Sequence, residues 1–180
     1  DPHIVNISAY QEYEHKFKPS ADLIKYLEDT LNDSNYPVKA GNHIENRGSM
    51  LNFSMVGRDC SLQERKDYFE YDKLTGERYK ISDYRENIAK YIRDNWMNLD
   101  AVIGGQISID IYPKGNDKSQ VLEHIEKRHE KGKIIFIGDR IEGGGNDYPL
   151  AELMDRIVNC DWHHTSGWKE TKQILEKLSD

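Results

Sequence analysis

Cysteine is scarce in this sequence: Cys60 and Cys160 are the only two, they stand far apart, and no Cys-x-x-Cys occurs. That excludes a disulfide-built scaffold and leaves two free thiols in a reducing, cytoplasmic setting as the expectation. No apolar run approaches the ~20 residues that a membrane span requires. No signal-peptide-like stretch stands near the N-terminus, and the chain opens on Asp1 rather than Met. Positive charge is also in short supply, 25 Lys and Arg against 32 Asp and Glu, and the net charge of −7 argues against general nucleic-acid binding. Neither an internal repeat nor a low-complexity tract is present. One further absence matters for chemistry: no two aspartates are separated by a single residue.

What is there suffices for a folded chain. Hydrophobic residues make up 37% of the sequence and charged residues 32%, enough for a core under a soluble surface. Residues 3–18 alternate loosely and suggest an edge strand or hairpin. Ser20 reads as the N-cap of a helix over 21–32, with Leu23, Ile24, Leu27 and Leu31 as its stripe. Ile44–Arg47 and Met50–Met55 read as a hairpin whose second arm is half-buried, Leu51, Phe53 and Met55 facing inward and Asn52 and Ser54 outward. Ser61-Leu62-Gln63-Glu64 is a capping box and opens a helix to about Tyr71. Ser82 opens another through Trp96, with Ile88, Tyr91 and Ile92 on its apolar side. Gly104-Gly105 marks a turn or bulge. From Gln106 to Tyr112 the alternation is strict, three Ile on one side and Ser108 and Asp110 on the other.

Pro113-Lys114-Gly115 breaks that pattern and divides the chain into residues 1–112 and 113–180. The second part reads as a helix over 117–131, a strand at 133–138, a helix carrying Leu150, Leu153, Met154 and Ile157, and a last helix near 169–178. Helix–strand–helix order of this kind is a slice of a parallel α/β sheet. The fold class is therefore α/β, with mixed or antiparallel sheet and helices first and a partial Rossmann-like unit second.

The chemistry concentrates in two groups. The run Ile134-Ile135-Phe136-Ile137 ends in Gly138-Asp139, followed by Gly143-Gly144-Gly145-Asn146-Asp147. A buried strand thus delivers carboxylates and an amide into a glycine-rich loop at its carboxyl end, where open α/β sheets bind ligands. Asp139, Asn146 and Asp147 are oxygen donors suited to Mg²⁺. Lys118, near a helix start, is placed to neutralise a phosphoryl group. The second group is Arg47, Arg58 and Arg65, three guanidinium groups within nineteen residues of an acidic chain. Their geometry matches phosphate oxygens, and they are expected to converge beside the face bearing Ser108 and Asp110, which suit sugar hydroxyls. His163-His164 has no zinc spacing and reads as loop; Trp162 and Trp168 read as packing residues.

These motifs resemble one family. Arg47-Gly-Ser-Met-Leu-Asn52, Gly57-Arg58-Asp-Cys-Ser61 through Glu64-Arg65, Gly104-Gly-Gln-Ile-Ser-Ile-Asp110, Pro113-Lys-Gly-Asn-Asp-Lys118, and Gly138-Asp139 to Gly-Gly-Asn-Asp147 run in the order of the eukaryotic-type phosphomannomutases, of the haloacid dehalogenase superfamily. The resemblance implies an α+β cap over a Rossmann-like core, dimerisation through the cap, and a Mg²⁺-assisted phosphoryl shuttle on hexose phosphates. It implies that Arg47, Arg58 and Arg65 hold the distal phosphate, that Ser108 and Asp110 hold the sugar, and that Lys118, Asp139, Asn146 and Asp147 form the core side of the site. It also requires an Asp-x-Asp-Gly-Thr segment, which these residues lack, and covalent catalysis needs that carboxylate. Three functional expectations follow. The first is a non-catalytic protein that sequesters a sugar phosphate or a nucleotide-like ligand. The second is a phosphohexose mutase or phosphatase whose nucleophile lies upstream. The third is a module that dimerises through the cap around an incidental charged groove.

Overall fold

The computed structural model describes residues 15–79, 84–128, 132–143 and 145–179. The expected hairpin at 3–18 and the helix start at Ser82 lie wholly or mainly outside them. The first helix, α1 (Ala21–Asp33), begins where its cap predicts: the Ser20 hydroxyl accepts from the Leu23 N–H at 3.3 Å, and Leu23 and Leu27 are fully buried. The hairpin follows as β1 (Ile44–Asn46) and β2 (Leu51–Ser54), closed by Arg47 N–H donating to Met50 O at 2.9 Å. The capping box forms in both directions, Ser61 N–H to Glu64 Oε2 at 2.7 Å and Glu64 N–H to Ser61 Oγ at 3.2 Å, and launches α2 (Leu62–Tyr79). Glu64 is held below its ordinary range by the Ser61 backbone and hydroxyl donors.

Helix α2 runs on past Tyr71 because tertiary contacts hold its second half. Asp72 is fully buried and accepts both the backbone N–H of Arg85, at 2.9 Å, and its Nε, at 2.7 Å. Arg85 opens α3 (Tyr84–Asn95) and sends Nη1 to the carbonyls of Gly105, at 3.0 Å, and Ser108, at 3.3 Å. One guanidinium thus ties two helices to the turn between β3 (Leu99–Gly104) and β4 (Ser108–Pro113). Tyr91 is half-exposed rather than buried; its ring stacks on Tyr26 at 4.7 Å.

The sheet order is β1-β2-β4-β3, and all three pairings are antiparallel. Strand β3, unrecognised in the sequence beyond its terminal glycine turn, pairs with β4 along six residues. The pleat sorts the side chains. Leu51, Phe53, Ile109, Ile111 and Ala101 are buried on one face among the residues of α1, α2 and α3. Asn52, Ser54, Ser108 and Asp110 take the other. Here the expectation of a half-buried β2 fails: Asn52 is only 2% exposed and Ser54 is fully covered, so both faces of the strand are enclosed.

The remaining chain forms α4 (Gln120–Arg128), β5 (Ile134–Gly138), α5 (Tyr148–Met154), β6 (Cys160–His164) and α6 (Trp168–Ser179). Strand β6 corrects the loop reading of His163-His164: it pairs in parallel with β5, from Ile134↔Cys160 to Gly138↔His164. Leu122, Leu150 and Met154 form a second buried cluster, with Phe136 and Trp162 packed against it. Trp168 is not a packing residue; it is 76% exposed, with the Lys169 ammonium 5.7 Å from its ring centre. The two sheets meet through a parallel bridge between Ile103 and Gly145 and a hydrogen bond from Arg140 Nη2 to Gly105 O at 2.9 Å.

Arg85→Met strands the buried Asp72 carboxylate and is expected to lower the unfolding free energy by about 3–5 kcal/mol in urea titrations. Asp72→Asn combined with Arg85→Met recovers part of that loss; full additivity of the two single effects would show that the pair does not act as a unit.

Candidate functional site

The pleat that buries the isoleucines of β4 turns Asp110 and Tyr112 toward the second half of the chain. There a cavity of about 220 Å³ opens, lined by these residues, by Ser49 and Met50 of the hairpin turn, by Lys118 and Gln120, and by Asn146. Asp110 is fixed by its cross-strand partner: Asn52 Nδ2 donates to its Oδ1 at 2.6 Å. Burial pushes the Tyr112 hydroxyl far above its ordinary range, so it remains a neutral donor. Ser108 is 5% exposed and its hydroxyl donates to Gly104 O at 2.6 Å, closing the β3–β4 turn.

Lys118 lies one turn before α4 rather than within it. Asp117 Oδ1 accepts from Ser119 N–H at 2.7 Å, a local turn that delays the helix to Gln120. The Lys118 ammonium is half-exposed to the cavity and donates to Asp147. The side chain of Asp147 is 3% exposed, and its second oxygen accepts the N–H groups of Asp139, at 3.1 Å, and Arg140, at 3.0 Å. Burial alone would raise this carboxyl, but Lys118 and the two backbone donors outweigh it and hold the group below its ordinary value. Asp147 therefore organises the loop. Asp139 is exposed and lines a different cavity, with Arg140, Glu142 and His164; among the described residues the buried Oδ1 of Asn146 has no hydrogen-bond partner. Among the described residues no three acidic, histidine or cysteine groups come together as a metal cluster.

The three arginines do not converge on this cavity; two of them meet at the β1 edge of the sheet. Arg47 binds Glu45 through Nη2 at 2.6 Å and Nε at 2.8 Å, and Arg58 Nε lies 3.9 Å from the same carboxylate. Glu45 went unremarked in the sequence, although its place two residues before Arg47 puts it on the same edge. Arg65 sits on the first turn of α2, half-buried, with no ion-pair partner among the described residues. The cavity lining does not include these three. Asp110, Lys118 and Asn146 are brought together; Arg47 and Arg58 are joined by Glu45.

The eukaryotic phosphomannomutase family model matches residues 10–179. The chain belongs to the eukaryotic phosphomannomutase family. It is 43% identical over 150 residues to a phosphomannomutase of Encephalitozoon cuniculi (strain GB-M1), covering 82% of this chain and 56% of that protein. It is 41% identical over 132 residues to one of Arabidopsis thaliana, with 73% and 50% covered, and 37% identical over 158 residues to one of Drosophila melanogaster, with 87% and 58% covered. The chain spans about half the length of these relatives. A solved IMP-bound, N-terminal truncated IMP-nucleotidase of Plasmodium falciparum is a loose likeness, with TM-score 0.45 and 16% identity over 98% of this chain and 42% of that one.

The depressed Asp147 carboxyl sets a pH dependence. Its contribution to stability is complete above the ordinary value of 3.8 and is lost as pH falls through its lower folded value. Lys118→Met is expected to cost about 1–2 kcal/mol at pH 7, the scale of one charged hydrogen bond. In thermal melts the cost should shrink as pH falls below the ordinary carboxyl value and Asp147 protonates; an unchanged difference at low pH would refute the pairing.

Proposed function

We propose that this protein binds a phosphorylated hexose between the polar face of the antiparallel sheet and the Lys118 turn. The observation that carries this reading is the convergence of Asp110 and Lys118, from different parts of the chain, on one cavity within a phosphomannomutase-family fold. An acceptor carboxylate and a half-exposed ammonium are the complement of a sugar hydroxyl and a phosphoryl oxygen. Residues 1–112 act as the recognition unit and 113–180 as the phosphoryl-handling unit. Arg47, Arg58 and Arg65 hold a distal phosphate, which displaces the Glu45 carboxylate from the first two. Ser108 supports the sugar side through its remaining acceptor capacity.

Mg²⁺ fits a reduced donor set. The exposed Asp139 carboxylate and the unpartnered Asn146 carbonyl oxygen suit it, whereas both oxygens of Asp147 are engaged. One carboxylate, an amide, substrate phosphate and waters are an ordinary Mg²⁺ environment. When bound, the ion neutralises phosphoryl charge. Phosphoryl transfer through an aspartyl phosphate needs an attacking carboxylate, a role that neither Asp110 nor Asp139 has in this reading. We propose that these residues bind the hexose phosphate and do not themselves turn it over. The second reading, a hexose phosphate mutase acting with a carboxylate from further polypeptide, is favoured by the relatives, which are named phosphomannomutases. A cytoplasmic setting and dimerisation through residues 1–112 complete the proposal.

Titration calorimetry with mannose 1-phosphate and glucose 1,6-bisphosphate tests it. Saturable binding is expected, and neutralising Arg47, Arg58 and Arg65 together should weaken the bisphosphate about a hundredfold or more, at one charged hydrogen bond each. No binding of either sugar would sink the reading, and interconversion of hexose 1- and 6-phosphates by this chain alone would sink its non-catalytic part. Mg²⁺ should tighten mannose 1-phosphate binding, and Asp139→Ala should remove that effect while leaving Mg²⁺-free affinity intact.

A further inference from the structure

We propose that Asn52 is the positioning residue that holds Asp110 ready for a sugar hydroxyl, and so sets the preference for a hexose phosphate over phosphate alone. The inference rests on the hexose phosphate reading of the cavity. Asn52 and Asp110 are direct cross-strand partners on β2 and β4, and the amide Nδ2 donates to Asp110 Oδ1 at 2.6 Å. Asn52 itself is 2% exposed, and its Oδ1 is buried with no hydrogen-bond partner among the described residues. A buried acceptor left unpaired is costly, and a leucine of similar volume would avoid that cost.

The sheet does not need this side-chain bond to keep register. Backbone pairing of Leu51 with Ile111 and of Phe53 with Ile109 brackets the pair on both sides. What the amide fixes is the carboxylate. The reverse amide orientation would set one acceptor oxygen against another, whereas the observed one places a donor on Oδ1. Gly104 closes the opposite side: a Cβ there would lie 2.6 Å from Asp110 Oδ2 and 2.8 Å from Oδ1. The carboxylate is held between an amide and a bare Cα, with its other oxygen free to accept. Without that clamp Asp110 can turn toward Lys118, which lines the same cavity, and each charge would then be neutralised by the other instead of by ligand.

Calorimetry on the full chain tests this with mannose 1-phosphate and inorganic phosphate as probes. Asn52→Leu is expected to weaken mannose 1-phosphate about tenfold, the effect of losing one hydrogen bond to a charged group, and inorganic phosphate less than about twofold. In an Asp110→Asn background the same change should add less than about twofold, because the two residues act through one group. Gly104→Ala, which crowds the carboxylate from the other side, should reproduce the selective loss and carries the test if Asn52→Leu fails to fold. Equal losses for both probes, or losses additive with Asp110→Asn, would show Asn52 to be a structural residue only and overturn the inference. Wild-type protein that binds mannose 1-phosphate no more tightly than phosphate would overturn the sugar reading of the cavity itself, and this inference with it.

Discussion

The pairing of β2 with β4 imposes one constraint from which the rest follows. Because side chains alternate across a pleated strand, the register that buries Leu51 and Phe53 against Ile109 and Ile111 must also place Asn52 opposite Asp110 and Ser54 opposite Ser108. A slip of one residue would turn the isoleucines toward the cavity and the polar pairs into the core. Core and site are thus two faces of a single choice of register. The Arg85 guanidinium reinforces it, since its bonds to Gly105 and Ser108 carbonyls fix the turn that joins β3 to β4, and its ion pair with Asp72 anchors that turn to two helices.

A second carboxylate performs the equivalent task in the rest of the chain. Asp147 caps the backbone after β5 and draws Lys118 toward it, so loop and lysine arrive at the cavity together. Its approach requires Gly138, where a Cβ would lie 2.7 Å from Asp147 Oδ2. The division of labour is physical: the buried acid builds the loop, and Asp139 beside it stays exposed.

Local signals were legible in the sequence where the interaction itself is local. Ser20 and the Ser61–Glu64 box act within three residues and mark their helices correctly. The strict alternation of 106–112 identifies β4 and its faces. Strand β3 was missed because Asp100 and the Gly104-Gly105 turn interrupt a short alternation that makes sense only beside β4. Strand β6 was missed because its histidines invite a question about ligands, while its pairing partner lies 26 residues away in register, Ile134 with Cys160. Periodicity also says which way Asn52 points and nothing about whether that side is covered. The arginines illustrate the same limit: their charge and spacing were plain, but the Glu45 carboxylate that pairs two of them is a matter of edge geometry.

The two walls of the cavity differ in how firmly they are built. Asp110 and Asn52 stand on a four-stranded sheet whose buried cluster draws on three helices. Lys118 and Asn146 belong to a part with a two-stranded sheet and a small buried cluster built on Leu122, Leu150 and Met154. Two paired strands alone are marginal in water, so this wall depends on its helices and on the Ile103–Gly145 and Arg140–Gly105 links to the larger sheet. Local stability follows the density of buried contacts. The carboxylate clamped from both sides thus stands on the more rigid wall. The half-exposed lysine stands on the softer one, where its ammonium can leave Asp147 for another anion at little conformational cost.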